Sequence, residues 1–281
     1  MRMQNLKYKA VALDLDGTLT DSDKKLPLKN KEALWKAMDL GVQVILISGR
    51  SVMGITGLAK ELEFEKRGGI IAAFNGGKTF DYKTGTMIQQ LFFPREAIAD
   101  TCAIVRKYGA QPLSYTDNEI VAETDTDHYV LAECKCNSAP VKKVPDLPKF
   151  LDYPIPKILG AGEHERLVKA REEFLSKYSH ICDSFFAESY FLELAPKGVA
   201  KDKALAHICE YLDITREEIM ACGDGFNDIP MLEYAGLGIA MKNAYPETQE
   251  KADCIAPFTN DECGVAWAVE EFILKASCGQ V

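Results

Sequence analysis

The sequence predicts an α/β protein: a doubly wound, mostly parallel sheet interrupted by an inserted α+β domain. Three observations carry this prediction. The chain has 281 residues, more than one hydrophobic core ordinarily organises, which favours two domains. Short, unalternating apolar runs near both ends of the chain have the character of strands covered on both faces, and helical periods separate them. The stretch between about 94 and 187 breaks that rhythm.

Taken in order, Lys9-Ala10-Val11-Ala12-Leu13 is the first apolar run, and it ends in acids and Gly17. Residues 28–40 place Ala33, Leu34, Ala37 and Met38 at helical spacing, Gly41 stops the helix, and 42–47 form the second strand, completing a βαβ unit. Ser48-Gly49-Arg50 closes that strand, a helical stretch covers roughly 51–62, and 70–74 give a third strand ending at Asn75-Gly76-Gly77. Lys83-Thr84-Gly85 marks a hairpin turn between two short strands. The middle of the chain reads helix (95–107), strands, a Pro-rich charged segment at 142–148, helix (163–177) and strands, an inserted domain whose halves repeat an element order. From 191–194 the first rhythm resumes, with helices over 198–211 and 228–235 and strands at 218–222 and 236–241. Residues 1–93 and 188–281 are therefore expected to form one domain around an insertion at 94–187, joined by right-handed crossovers.

Composition narrows the function. With 47% apolar, 27% charged and 9% aromatic residues, the chain is neither disordered, collagenous nor a disulfide-stapled miniprotein. A net charge of −9 argues against nucleic acid as a partner, and an anionic substrate would need a local cation. No window holds 18 consecutive apolar residues and the opening segment lacks a cleavage signature, so no membrane partner and a cytoplasmic location are expected. The nine cysteines are odd in number and scattered, which suits free thiols; Cys134 and Cys136 lack the spacing and partners of a zinc site.

Chemistry gathers at strand ends. Asp14 and Asp16 flank Leu15 where the first strand stops, the edge at which open α/β sheets bind ligands. Side chains two apart in extended chain point the same way, and two carboxylates that close are reconciled by a hard cation between them. A calcium loop counted from Asp14 fails, since its sixth and twelfth positions are Leu19 and Lys25. Gly223-Asp224-Gly225-Phe226-Asn227-Asp228 repeats the arrangement after a later strand, completing a candidate metal pocket. Ser48-Gly49-Arg50 offers a hydroxyl and backbone N–H groups to a phosphoryl oxygen. Lys197, Lys201 and Lys203 cluster at a helix start, where lysine opposes the helix dipole and an anion would justify one; spacing does not choose among the three.

The run Asp-Leu-Asp-Gly-Thr-Leu-Thr (14–20), Ser48 after a strand, a lysine before a helix and Gly-Asp-Gly-Phe-Asn-Asp-Ile-Pro-Met-Leu (223–232), in that order, resembles the haloacid dehalogenase superfamily. Asn75-Gly76, Pro196-Lys197-Gly198-Val199-Ala200-Lys201 and Ala240-Met241-Lys242-Asn243-Ala244 further resemble its Cof-like branch of sugar-phosphate phosphatases, which carries an α+β cap. Ala200-Lys201-Asp202 and Gly77 depart from that branch's usual residues. The resemblance implies an Mg²⁺-dependent phosphatase for a small phosphorylated metabolite. Asp14 would be the nucleophile, Asp16 the acid and base, and Lys201 the catalytic cation. Mg²⁺ would be held by the Asp14 carboxylate, the Asp16 carbonyl and Asp224, with Asp228 steadying them. Leu15, Ser48, Gly49, Lys201 and Asn227 would bind the phosphoryl oxygens. A phosphomutase is the nearest rival; a receiver-type regulator carries its acceptor on the third strand and is about half as long or less.

The four histidines lack metal spacing, Trp35 and Trp267 lie on helical faces expected in the core, and Tyr115, Asp117, Asn118, Glu119 and Glu188 are candidate specificity residues in loops. A monomer or homodimer is expected.

Overall fold

A computed structural model describes residues 6–275. The strands are β1 (Ala10–Leu13), β2 (Gln43–Ile47), β3 (Ile70–Ala73), β4 (Lys78–Asp81) and β5 (Met87–Gln90). They continue with β6 (Gln111–Tyr115), β7 (Ile120–Ala122), β8 (Val141–Lys143), β9 (Ile158–Ala161), β10 (Cys182–Glu188) and β11 (Phe191–Pro196). The last are β12 (Ile219–Gly223), β13 (Leu237–Ala240) and β14 (Cys254–Ile255). The described residues divide into two compact units, one of residues 6–48, 55–89 and 200–275, the other of 49–54 and 90–199.

The first unit is built on a sheet in the order β14-β13-β12-β1-β2-β3-β4-β5. β14 through β3 run parallel, and β3 to β4 is antiparallel. β1 lies between β12 and β2, with Ala10 opposite both Ile219 and Gln43. Every residue of β1, β3 and β12 is buried, which is why these strands read as unbroken apolar runs. The strand order turns in opposite directions on either side of β1, so the carboxyl ends of β1 and β12 flank a switch point where doubly wound sheets hold ligands. A helix over Leu28–Asp39 covers the βαβ crossover through Asn30, Ala33, Leu34 and Ala37, and one over Lys201–Leu212 precedes β12.

The second unit has a six-stranded sheet, β10-β11-β9-β6-β7-β8. Helices Ile98–Lys107 and His164–Tyr178 are each followed by an antiparallel hairpin, β6–β7 and β10–β11, so the repeated element order is real at the level of topology. Phe93, Ile98, Val105, Leu167, Phe174 and Leu194 belong to its core.

Three expectations change. Residues 191–194 do not return to the first sheet: Phe191–Pro196 pairs with β9 and β10, so the second unit runs to Val199, and a 188 boundary falls inside a hairpin. An apolar run carries no address, and a two-sided strand of either sheet has the same composition. Trp35 and Trp267 are half-buried instead of core, and the Trp35 indole N–H donates to the Leu62 carbonyl while Lys31 and Arg67 lie over its ring. Tyr115 is not a loop residue; it ends β6, buried, and its hydroxyl donates to Glu133. A helix over His128–Asn137 was not expected, because its buried stripe is Val130, Glu133 and Asn137, polar at two positions of three. Cys134 and Cys136 sit on that helix. Two residues apart, they project to different faces; all eight cysteines among the described residues are free, and Cys278 lies outside them. Among the described residues, no helix is long and apolar enough to cross a membrane.

Candidate active site

The site is assembled at the ends of β1 and β12. Extended chain stops at Leu13, and a compact turn follows in which Leu19 donates its N–H to the Asp14 carbonyl and Thr18 and Thr20 donate theirs to Leu15. The turn, more than strand alternation, therefore sets where Asp14 and Asp16 point. Leu15 is buried, as expected of a residue facing the core. Gly17 makes the turn possible twice over: its φ is +82°, and a Cβ there would lie 2.4 Å from an Asp224 carboxylate oxygen. The space a side chain would fill is the approach of the second acidic loop to the first. Gly223 plays the same part toward Asp228, whose Cβ would lie 2.5 Å from an added methyl.

Lys201 is the lysine the structure selects. Fully buried at the start of its helix, its Nζ is 2.5 Å from Asp14 Oδ1 and 2.5 Å from Asp228 Oδ1. Lys203 is exposed, and Lys197 lies in the second unit, its Nζ donating to the Ser179 carbonyl beside Asp183. A lysine at a helix N-terminus opposes the dipole, and the two carboxylates supply the reason for it. Asp228 Oδ2 in turn accepts the backbone N–H groups of Asp224 and Gly225, both at 2.9 Å, so one carboxylate fixes both the Gly-Asp-Gly loop and the lysine. Thr18 donates its hydroxyl to Asp224 Oδ1 at 2.7 Å and is wholly buried. Sequence reasoning gave it no role; a hydroxyl one residue after the glycine of an acidic turn is the signal that could have found it.

Asp14, Asp224 and Asp228 each offer a carboxylate oxygen within 4.8 Å of the others, a donor set fitting a hard divalent cation. The Asp16 carboxylate is not one of these three; it pairs with Lys24 Nζ at 2.6 Å and adds to the negative field on Asp224. Ser48 is buried at the end of β2, its carbonyl accepting the Asn75 N–H. Asn227, exposed, donates to the buried Asn75 side chain at 3.1 Å. Asn75 holds a left-handed backbone conformation, φ 54°, which asparagine tolerates. Gly49, which follows Ser48 in the chain, groups with the second unit.

Burial, and next the Asp228 charge, push the Asp14 carboxyl well above its usual range against the pull of Lys201. Asp224 is pushed up to about 6, by burial first and Asp228 second, while the Thr18 hydroxyl and Lys201 pull it down. Burial opposes the charge on Lys201, yet Asp14 and Asp228 outweigh it and hold the ammonium protonated.

These directions fix a pH dependence. A carboxyl that binds its proton more tightly when folded makes the fold more stable at low pH, and that stability is lost as pH rises through the window from 3.8 to about 6 for Asp224. With metal chelated, the melting temperature is expected to rise as pH is lowered from 7 to 5, by the equivalent of about 1 kcal/mol from Asp224. Asp224→Asn should flatten that slope. A chelated wild-type protein whose melting temperature falls over the same interval would contradict the buried, mutually repelling carboxylates.

The sequence profile of haloacid dehalogenase-like hydrolases matches residues 11–269, from β1 through the α-helix over Gly264–Val269. The chain belongs to that family. Among solved structures, a haloacid dehalogenase-like hydrolase from Bacteroides thetaiotaomicron is 37% identical and superposes with a TM-score of 0.90, covering 94% of this chain and 99% of its own. Two 5-amino-6-(5-phospho-D-ribitylamino)uracil phosphatases of Bacillus subtilis are similar over nearly their whole length. One is 30% identical over 293 residues, covering 94% of this chain and 98% of the relative. The other is 29% identical over 278 residues, covering 98% and 99%. The match to the haloacid dehalogenase-like hydrolases therefore takes in both units. The acidic turn, the Gly-Asp-Gly loop and the buried lysine lie inside the matched region.

Proposed function

We propose that this hydrolase is an Mg²⁺-dependent phosphatase acting on a small phosphorylated metabolite of the sugar-phosphate type, through an aspartyl phosphate on Asp14. The observation that carries the reading is the buried Lys201 held between Asp14 and Asp228, one cation set against a nucleophile-type carboxylate at a sheet edge. Two relatives named for a ribityl phosphate ester support the substrate class.

Asp14, oriented by the Lys201 hydrogen bond on its Oδ1, attacks phosphorus. A bond forms between its carboxylate and phosphorus as the bond to the leaving oxygen breaks, and Asp16 gives that oxygen a proton. Water then attacks the phosphorus, Asp16 takes the water proton, and Asp14 departs as a carboxylate with inorganic phosphate released. Before it can donate, Asp16 must leave Lys24 and take up a proton from solvent; Lys24 is about half exposed, and such pairs are worth about 0–1 kcal/mol, so giving up the pair is cheap. Ser48, the Leu15 and Gly49 amides, Lys201 and Asn227 hold the other phosphoryl oxygens. Asp14, the Asp16 carbonyl and Asp224 would hold Mg²⁺, with Asp228 steadying them, and the ion would supply charge neutralisation at the phosphoryl group. Phosphoryl transfer depends mostly on such positioning and neutralisation. The second unit acts as the cap that selects the substrate.

A panel of phosphorylated sugars, ribityl phosphates, nucleotides and cofactors, assayed for phosphate release with Mg²⁺, tests the reading; transfer between sugar positions without release would instead identify a mutase. Asp16→Asn sharpens it. A phenolate leaves without a proton and an alkoxide does not, so the variant should lose far more activity on a sugar phosphate than on p-nitrophenyl phosphate, and should accumulate phosphoryl mass on Asp14. Equal slowing of both substrates without a trapped phosphoenzyme would remove Asp16 from the acid and base role.

A further inference from the structure

The second unit buries a charge pair of its own. Lys157 at the start of β9 and Glu193 in β11 are 2% and 3% exposed, and Lys157 Nζ lies 2.7 Å from Glu193 Oε1. An ion pair in an apolar core does not stabilise a fold by itself, because desolvation offsets its attraction, and apolar residues of similar volume often do as well. The pair is explained by what else it touches. The same ammonium donates to the carbonyl of Gly49 at 3.1 Å and lies 5.4 Å from the centre of the Tyr115 ring. The Tyr115 hydroxyl donates to Glu133 Oε1 at 2.7 Å, and Asn137 Nδ2 donates to the same oxygen at 2.7 Å. Asn137 Oδ1 then accepts the backbone N–H of Ser51 at 2.8 Å. A buried polar path thus leaves the chain at Gly49 and returns at Ser51. Gly54 is part of the same fit, since a Cβ there would lie 2.9 Å from Asn137 Oδ1.

We propose that Lys157 and Asn137, supported by Glu193, Tyr115 and Glu133, are positioning residues that set the peptide groups of residues 49–51 for phosphate binding. A trans peptide points its carbonyl and its N–H in opposite directions. Holding the Gly49 carbonyl on an ammonium therefore aims the Arg50 N–H the other way, and it keeps a partial negative charge from turning toward a phosphate oxygen. Occupying the Ser51 N–H with Asn137 fixes the next peptide. The Gly49–Arg50 and Arg50–Ser51 peptides are then ordered before phosphate binds. The proposal rests on the phosphatase reading, in that Gly49 is taken to lie at the phosphate.

The test replaces both charges together, Lys157→Met with Glu193→Gln, so that neither is left buried alone; Asn137→Ala, which leaves the ion pair in place, is a second arm should the first not fold. Inorganic phosphate is titrated into each protein with Mg²⁺ present, the Mg²⁺ midpoint is measured separately, and kcat/KM is taken on p-nitrophenyl phosphate. Misplacing a binding group by about 1 Å costs on the order of 100-fold. The expected result is phosphate binding and kcat/KM both weaker by about 10- to 100-fold in the double variant and by a smaller factor in Asn137→Ala, with the Mg²⁺ midpoint unchanged. Phosphate affinity within twofold of wild type overturns the proposal, as does a parallel loss of Mg²⁺ binding, which would make the network a general scaffold. A wild-type protein that binds Mg²⁺ but neither binds phosphate nor releases it from any ester overturns the phosphatase reading, and this proposal with it. If wild type passes and only the variants are unaltered, the phosphatase reading stands alone.

Discussion

Asp14→Asn is expected to abolish turnover, by roughly 10³-fold or more, while leaving a folded protein. The amide keeps the shape of the carboxylate and can still accept the Lys201 hydrogen bond that Asp14 Oδ1 accepts now, but it cannot attack phosphorus. Stability should not fall, because the substitution removes a charge that burial and Asp228 already disfavour. Phosphate release from the best ester in the panel, beside a melting curve, checks both halves. Activity retained at about a tenth of wild type would show that the phosphoryl group goes elsewhere, since single knock-outs in a catalytic unit cost far more than that.

Lys201→Met is expected to be the single change most damaging to stability, because it removes a cation and leaves two buried carboxylates facing each other. Breaking a buried pair by deleting one partner costs about 3–5 kcal/mol, and Lys201 here serves two partners with no exposure of its own side chain. Activity should fall by about 10²–10³-fold from the lost electrostatic stabilisation alone. The two losses separate in a double variant: adding Asp14→Asn relieves the repulsion and should restore part of the melting temperature without restoring turnover. A double variant no more stable than Lys201→Met alone would show that the lysine matters for its packing and not for its charge.

Much of this site was legible in the residues because its chemistry is local in sequence. Asp14, Leu15 and Asp16 fall in one run and Asp224, Asn227 and Asp228 in another, each where a buried parallel strand ends. The choice of Lys201 over Lys197 and Lys203 was not legible from spacing, because all three stand near one helix start and only tertiary packing buries one of them between carboxylates. The Thr18 and Asn75 contacts were missed for a related reason: each is made to a partner more than 150 residues away, Thr18 to Asp224 and Asn75 to Asn227. The second unit was the least legible. Its helix over His128–Asn137 buries Glu133 and Asn137 in place of an apolar stripe, and its last strand has the composition of a first-unit strand.

The place of β1 between β12 and β2 has a consequence for how the chain comes off the ribosome. Its neighbour on one side follows within about 30 residues, while on the other Ala10 waits for Ile219, and Asp14 waits for Lys201 and then Asp228. Until β12 has emerged, roughly 200 residues after β1, β1 presents a bare apolar edge of the kind that pairs with other chains. The second unit, continuous from 90 to 199 apart from residues 49–54, can gather its own core during that interval; the first cannot close. Such long-range closure is slow and exposes intermediates to aggregation. Misfolding of this protein should therefore be most sensitive to events in the interval before β12 arrives to fill the gap.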